Sequence, residues 1–144
     1  LKGLPSGALN WLPLPSNPSG HKLSSSVYQL AYHSIVTEVD WRRHMAYRLG
    51  LITLEEEQRG FEEGELEVVA DDPSFILERL ERDGNETDLF ISRLTDGELG
   101  ISWLNPRGEP RSIRWVIGHT IAYYGQCIGQ MVLTRQLWEA QFRR

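Results

Sequence analysis

The chain has 144 residues, of which 40% are hydrophobic and 24% charged, as is typical of one globular domain. Its formal net charge of −5 argues against nucleic acid as the main partner, because proteins that bind nucleic acid present an excess of basic side chains. The single cysteine excludes an internal disulfide, so we expect a cytoplasmic protein. No apolar run approaches the roughly 20 residues that cross a bilayer, so we expect no membrane partner. We expect one domain over residues 1–144.

The first half of the chain contains one long predicted helix. The opening segment 1–11 is typical of a frayed helix end followed by a turn, and the proline-rich segment 12–20 is typical of a loop. The long helix is predicted over 25–49, with a serine as its N-cap and Gly50 at its C-terminal end. The acidic run 54–72 is interpreted as a solvated connector, because its nine carboxylates show no metal-ligand spacing.

Two further long helices are predicted in the second half. One begins at Asp72, a good N-cap, with Pro73 in its first turn, and ends at Gly97. Turn-forming residues in the segment 99–111 predict an irregular excursion with a small hairpin. The last helix is predicted over 112–142. We therefore expect an all-α domain with three long helices and a hint of a fourth at the front.

A row of small residues follows one side of the last helix. It consists of Gly118, Ala122, Gly125 and Gly129, at spacings of 4, 3 and 4, and we call it the small-residue row. Such a row lets another backbone approach closely. Because three long amphipathic helices leave one side of a bundle uncovered, we expect a front helix or a second subunit to pack there.

The last helix also carries a polar stripe, although its other residues are rich in Ile, Val and Trp. On the first long helix, His33 lies among apolar neighbours, and two helices of a bundle can direct polar side chains to one point. These residues are consistent with a metal site. They are also consistent with core residues, in which the hydroxyl of Tyr123 or Tyr124 satisfies a buried partner and Cys127 acts as a small hydrophobe. The polar stripe comprises His119, Tyr123, Gln126, Cys127 and Gln130.

The sequence RSIRWVIGHTIAYYGQCIGQMVLTRQL (111–137) resembles the last helix of the DinB-like four-helix-bundle superfamily, in the branch related to mycothiol-dependent maleylpyruvate isomerase. The resemblance covers most of the chain, and 54–72 is its poorest match. It implies an up-and-down four-helix bundle whose first helix is truncated or missing from this chain, and it implies a homodimer. The matching positions are Ile113, Arg114, Trp115, Val116, His119, Gly129 and Arg135 on the last helix, and His33, Glu38 and Trp41 on the first long helix.

Members of this superfamily hold a divalent metal, often zinc or nickel, with one histidine from the second helix of the bundle and two side chains one turn apart on the last helix. Carried over to this sequence, the three positions fall on His33, Tyr123 and Cys127. If the alignment with the superfamily were shifted by four residues, His119 and Tyr123 would occupy the two ligand positions of the last helix. The matched motif favours the unshifted alignment. Tyrosine is a poor metal ligand, because its phenol has a pKa of about 10 and must lose a proton before it binds a metal ion. The resemblance therefore implies a degenerate metal site.

Two functions follow from this resemblance. The first is a protein that binds a small molecule or has a structural role, with no metal or with weakly bound metal. The alternative is a metal-dependent thiol S-transferase or hydrolase, because some members transfer mycothiol, bacillithiol or glutathione after the metal lowers the pKa of the thiol. Both predict a cavity between His33 and the pair Tyr123 and Cys127.

Overall fold

The computed structural model describes residues 3–4, 7–14, 24–59 and 73–142. Within these ranges the chain is mostly helical, and the three long helices lie close to the predicted segments. None of the described helices combines the length and apolar character needed to span a bilayer. The elements are α1 (Val27–Arg48), α2 (Leu54–Gln58), α3 (Ser74–Ile91), α4 (Asp96–Leu99), β1 (Ser102–Leu104), β2 (Pro110–Ser112) and α5 (Ile113–Phe142).

Helix α1 has the ends that its sequence predicts. Ser26 is the N-cap: its Oγ accepts a hydrogen bond from the backbone N–H of Gln29 (3.1 Å), and the Gln29 side chain accepts one from the backbone N–H of Ser26 (3.1 Å). This reciprocal capping box satisfies two amides that have no partner inside the helix. After the helix, Gly50 adopts φ +71°, a left-handed conformation that glycine adopts without steric cost.

The helix predicted from Asp72 to Gly97 is wrong at its C-terminal end. Helix α3 ends well before Gly97, which instead lies within the short helix α4. Thr95 caps α4, because its side chain accepts from the backbone N–H of Glu98 while the Glu98 carboxylate accepts from the Thr95 backbone. This local capping box starts a new helix at a point where the apolar spacing predicts that the preceding helix continues. Asp72 lies outside the described residues, and Pro73 occupies the N-cap position of α3.

The acidic segment is not only a connector. Its start forms α2, whose N-cap Thr53 makes a capping box with Glu56. Residues 60–72 of the acidic segment lie outside the described residues.

The hairpin predicted within 99–111 is confirmed, since β1 and β2 pair antiparallel with Trp103 opposite Arg111. Gly108 supplies the left-handed turn residue, with φ +75°.

Helix α1 lies at the centre of the fold and packs against α5 and α3. One core cluster includes Tyr28, Ala31 and Ile35 of α1 with Ile76 of α3. A second cluster, at the other end of α1, joins Met45 to Ile113 and Val116 of α5. Met131 of α5 packs against the first cluster and Phe90 of α3 packs against the second, so each cluster joins all three long helices.

The face of α5 that points away from α1 is apolar and exposed. Ile121 is 68% exposed and Leu133 is 55% exposed, and both flank the small-residue row. A Cβ atom added at Gly118, Gly125 or Gly129 would meet nothing within 4 Å. The described residues at the front of the chain, 3–4 and 7–14, contain no helix. The partner of this surface, a front helix or a second subunit, therefore stays a prediction.

Candidate functional site

A partly buried hydrogen bond joins the two longest helices. Glu38 of α1 is 8% exposed, and its Oε2 accepts a hydrogen bond from the hydroxyl of Tyr124 on α5. Burial raises the pKa of the Tyr124 phenol far above its ordinary value, and the hydrogen bond to Glu38 raises it further. Tyr124 therefore stays protonated and remains the donor of this bond.

The sequence positions this pair through helix periodicity. Glu38 follows Ala31 by seven residues and Ile35 by three, so its carboxylate lies on the buried face of α1. A carboxylate on such a face requires a hydrogen-bond partner. The prediction that one of the two adjacent tyrosines satisfies a buried group is confirmed, and the residue is Tyr124. The identity of its partner was not predicted.

Tyr124 also lines a cavity of about 360 Å³ between α1, α3 and α5, which we call the α1–α3–α5 cavity. Arg135 is the one charged residue among the described residues that line it. Ser34 adds a hydroxyl, which donates to the backbone carbonyl of Leu30 (2.8 Å). The apolar walls include Val27, Ala31, Leu77, Leu80, Ile128 and Met131.

The four predicted metal ligands occupy different environments. His33 is exposed on α1, whereas Cys127 is 3% exposed on the face of α5 that packs inward. Tyr123 is half-buried and His119 is exposed. None of the four is among the described residues that line the α1–α3–α5 cavity, so this cavity is not the predicted one between His33 and the polar stripe.

His119 packs in an aromatic cluster. Its ring stacks on Trp115, with centroids 4.7 Å apart and an angle of 11° between the planes. Trp41 of α1 contacts the same imidazole edge-on, with centroids 5.8 Å apart. Stacking of this kind contributes about 1 kcal/mol beyond the area it buries. His119 therefore helps to hold α5 against α1.

The metal prediction can be tested directly. Within the parts of the chain that the structure describes, no group of three or more His, Cys, Asp and Glu side chains is placed to hold a metal ion. For protein purified without chelator and without a nickel column, we expect elemental analysis to find less than one zinc or nickel per chain. Stoichiometric metal that disappears in His33→Ala would contradict this expectation and favour the thiol S-transferase alternative.

Comparison with known proteins does not identify this site. No protein-family model, curated protein or solved structure matches the chain. Membership of the DinB-like superfamily therefore stays a prediction, which rests on the motifs in α1 and α5. The chemistry of the site rests on the geometry of the α1–α3–α5 cavity.

Proposed function

We propose that this chain is a DinB-like helical bundle with degenerate metal-ligand positions, which binds a small, mostly apolar molecule in the α1–α3–α5 cavity. The observation that supports the proposal best is the cavity itself, with apolar walls and a volume of about 360 Å³. Ligand sites are typically hollows of about 300–1,000 Å³, lined by apolar side chains with a few polar groups that orient the ligand.

The polar groups inside the cavity suit a ligand that is held mainly by its apolar surface. The hydroxyl of Tyr124 already donates to Glu38, and that of Ser34 already donates to the Leu30 carbonyl. Because both donors are satisfied, an alkyl or aromatic group beside them leaves no buried hydrogen bond unmade. The hydroxyl oxygens still offer lone pairs to a ligand O–H or N–H.

The protonated state of Tyr124 argues against a role for its hydroxyl as a nucleophile or a general base. A phenol whose pKa is raised above its ordinary value is protonated near neutral pH. A protonated phenol is a poor nucleophile and a poor general base. Tyr124 instead fixes the distance between α1 and α5, and so helps to set the width of the cavity.

The proposal can be tested by measuring the binding of decan-1-ol to wild-type protein and to variants in which a tryptophan side chain fills the cavity. Wild-type protein should bind decan-1-ol in isothermal titration calorimetry with a Kd on the order of 100 µM, which corresponds to about 0.5 kcal/mol per non-hydrogen atom. Leu80→Trp from α3 and Ile128→Trp from α5 each place an indole in the cavity from a different wall. Each should weaken the binding about tenfold or more, because the probe then has less room.

Leu89→Trp is the matched control, because Leu89 lies on α3 but is exposed and is not among the residues that line the cavity. It should leave the Kd unchanged. Circular dichroism checks that each variant stays folded. The proposal fails if decan-1-ol does not bind to the wild-type protein, or if it binds equally well to both filled variants.

A further inference from the structure

We infer that the ligand of the α1–α3–α5 cavity is an amphiphilic monoanion, whose negative head binds the guanidinium of Arg135 while its apolar body fills the cavity. A medium-chain carboxylate is the simplest molecule of this class. The inference rests on the proposed function and adds the charge and the size of the ligand.

The sign of the ligand's charge follows from the lining. Arg135 is the one charged side chain among the described residues that line the cavity, and the nearby carboxylates of Glu139 and Glu38 already bind Arg135 and Tyr124. An anionic head therefore meets one cation at this wall, whereas a cationic head would be repelled. The side chain of Arg135 is about half exposed, which places its charge at the opening rather than in the apolar interior.

Arg135 keeps donors for a ligand. Its Nε donates to Oε1 of Glu139 at 3.0 Å, which orients the guanidinium. Among the described residues, no hydrogen-bond partner is found for its two terminal nitrogens. A guanidinium has five N–H donors in a planar fork, and the outer pair matches the two oxygens of a carboxylate. Glu139 neutralises part of the positive charge, so we expect a moderate effect on affinity.

The size of the ligand follows from the volume of the cavity. At about 30 Å³ for each water-sized group, 360 Å³ holds about twelve non-hydrogen atoms. Decanoate has about this size. The walls offer Leu77, Leu80 and Met131 to its alkyl chain. A second charge on the ligand would lie against these apolar side chains without a partner, which is unfavourable.

The test compares three probes that share a ten-carbon chain: decanoate, decan-1-ol and decylammonium. On wild-type protein, calorimetry at concentrations below micelle formation should show decanoate binding about tenfold more tightly than decan-1-ol, and decylammonium binding more weakly than decan-1-ol. Arg135→Gln should remove the tenfold advantage of decanoate over decan-1-ol, as measured by the ratio of their two Kd values. Arg114→Gln, at an exposed arginine of α5 that is not among the cavity-lining residues, should change neither Kd.

The outcomes separate the charge of the ligand from the existence of the site. Equal binding of decanoate and decan-1-ol to wild-type protein would overturn the monoanion inference and leave the proposed function standing. An advantage of decanoate that persists in Arg135→Gln, or that is lost equally in Arg114→Gln, would also overturn it. Absence of binding by all three probes would overturn both proposals.

Discussion

Tyr124→Phe should lower the free energy of unfolding by about 3 kcal/mol, measured by urea denaturation at neutral pH. The substitution removes one hydroxyl group and leaves the Glu38 carboxylate, which is 8% exposed, without its donor on α5. A buried acceptor that loses its donor costs more than the average hydrogen bond contributes, because the group keeps its desolvation penalty.

Tyr123→Phe is the matched control for this prediction. Tyr123 is the neighbouring residue, is half-buried, and makes no hydrogen bond to another described residue through its hydroxyl. It should change the stability by less than about 0.5 kcal/mol. Adding Glu38→Leu to Tyr124→Phe should recover much of the loss, since an apolar pair has no unmet hydrogen bond. Similar stabilities of Tyr124→Phe and Tyr123→Phe would contradict the prediction.

The pH dependence of stability gives a second readout for Tyr124. Its pKa is raised in the folded protein above the ordinary 10.0, so the folded state holds the proton more tightly than the unfolded state does. The resulting stabilisation is fully present below pH 10.0 and is lost as the pH rises beyond it. Between about pH 10 and pH 11, wild-type protein should lose stability more steeply than Tyr124→Phe, by up to about 1.4 kcal/mol per pH unit.

Ile76→Ala should destabilise the protein by about 3 kcal/mol. Ile76 of α3 is fully buried, and its side chain belongs to the cluster that joins α3 to Tyr28, Ala31 and Ile35 of α1. Truncation loses the transfer free energy of three carbon atoms and leaves a void that the neighbours fill incompletely. Thermal unfolding should show a decrease in Tm of about 6–12 °C.

Leu89→Ala provides the comparison on the same helix, because Leu89 is exposed. It should change the free energy of unfolding by less than about 0.5 kcal/mol. If the two variants were equally stable, the packing of α3 on α1 through Ile76 would be wrong. The position of α3 as one wall of the α1–α3–α5 cavity would then be wrong as well.

The helices were predictable where local signals agree. Helix α1 has caps and apolar spacing that point to the same boundaries, and the turn residues between Leu104 and Pro110 predict the hairpin. The C-terminal end of α3 was not predictable from apolar spacing, because the capping box of Thr95 and Glu98 starts a new helix within the apolar pattern. Short-range hydrogen bonds decided that boundary.

The candidate site was less predictable, because it depends on how the helices are rotated about their axes. Periodicity places Glu38 on the apolar face of α1 and could have identified it as a buried carboxylate. Periodicity within one helix cannot show that Tyr124 is its partner, or that Arg135 reaches the same cavity. The same limit applies to His33 and Cys127: each lies on a defined face of its own helix, yet one is exposed and the other buried.

The exposed small-residue row of α5 has a palindromic order. Its spacings of 4, 3 and 4 read the same in both directions, so a half-turn about the midpoint between Ala122 and Gly125 exchanges Gly118 with Gly129. An antiparallel copy of α5 would therefore meet a small residue at each of these positions, as an isologous contact requires. If the homodimer that the resemblance implies forms through this row, its two copies of α5 should therefore run antiparallel.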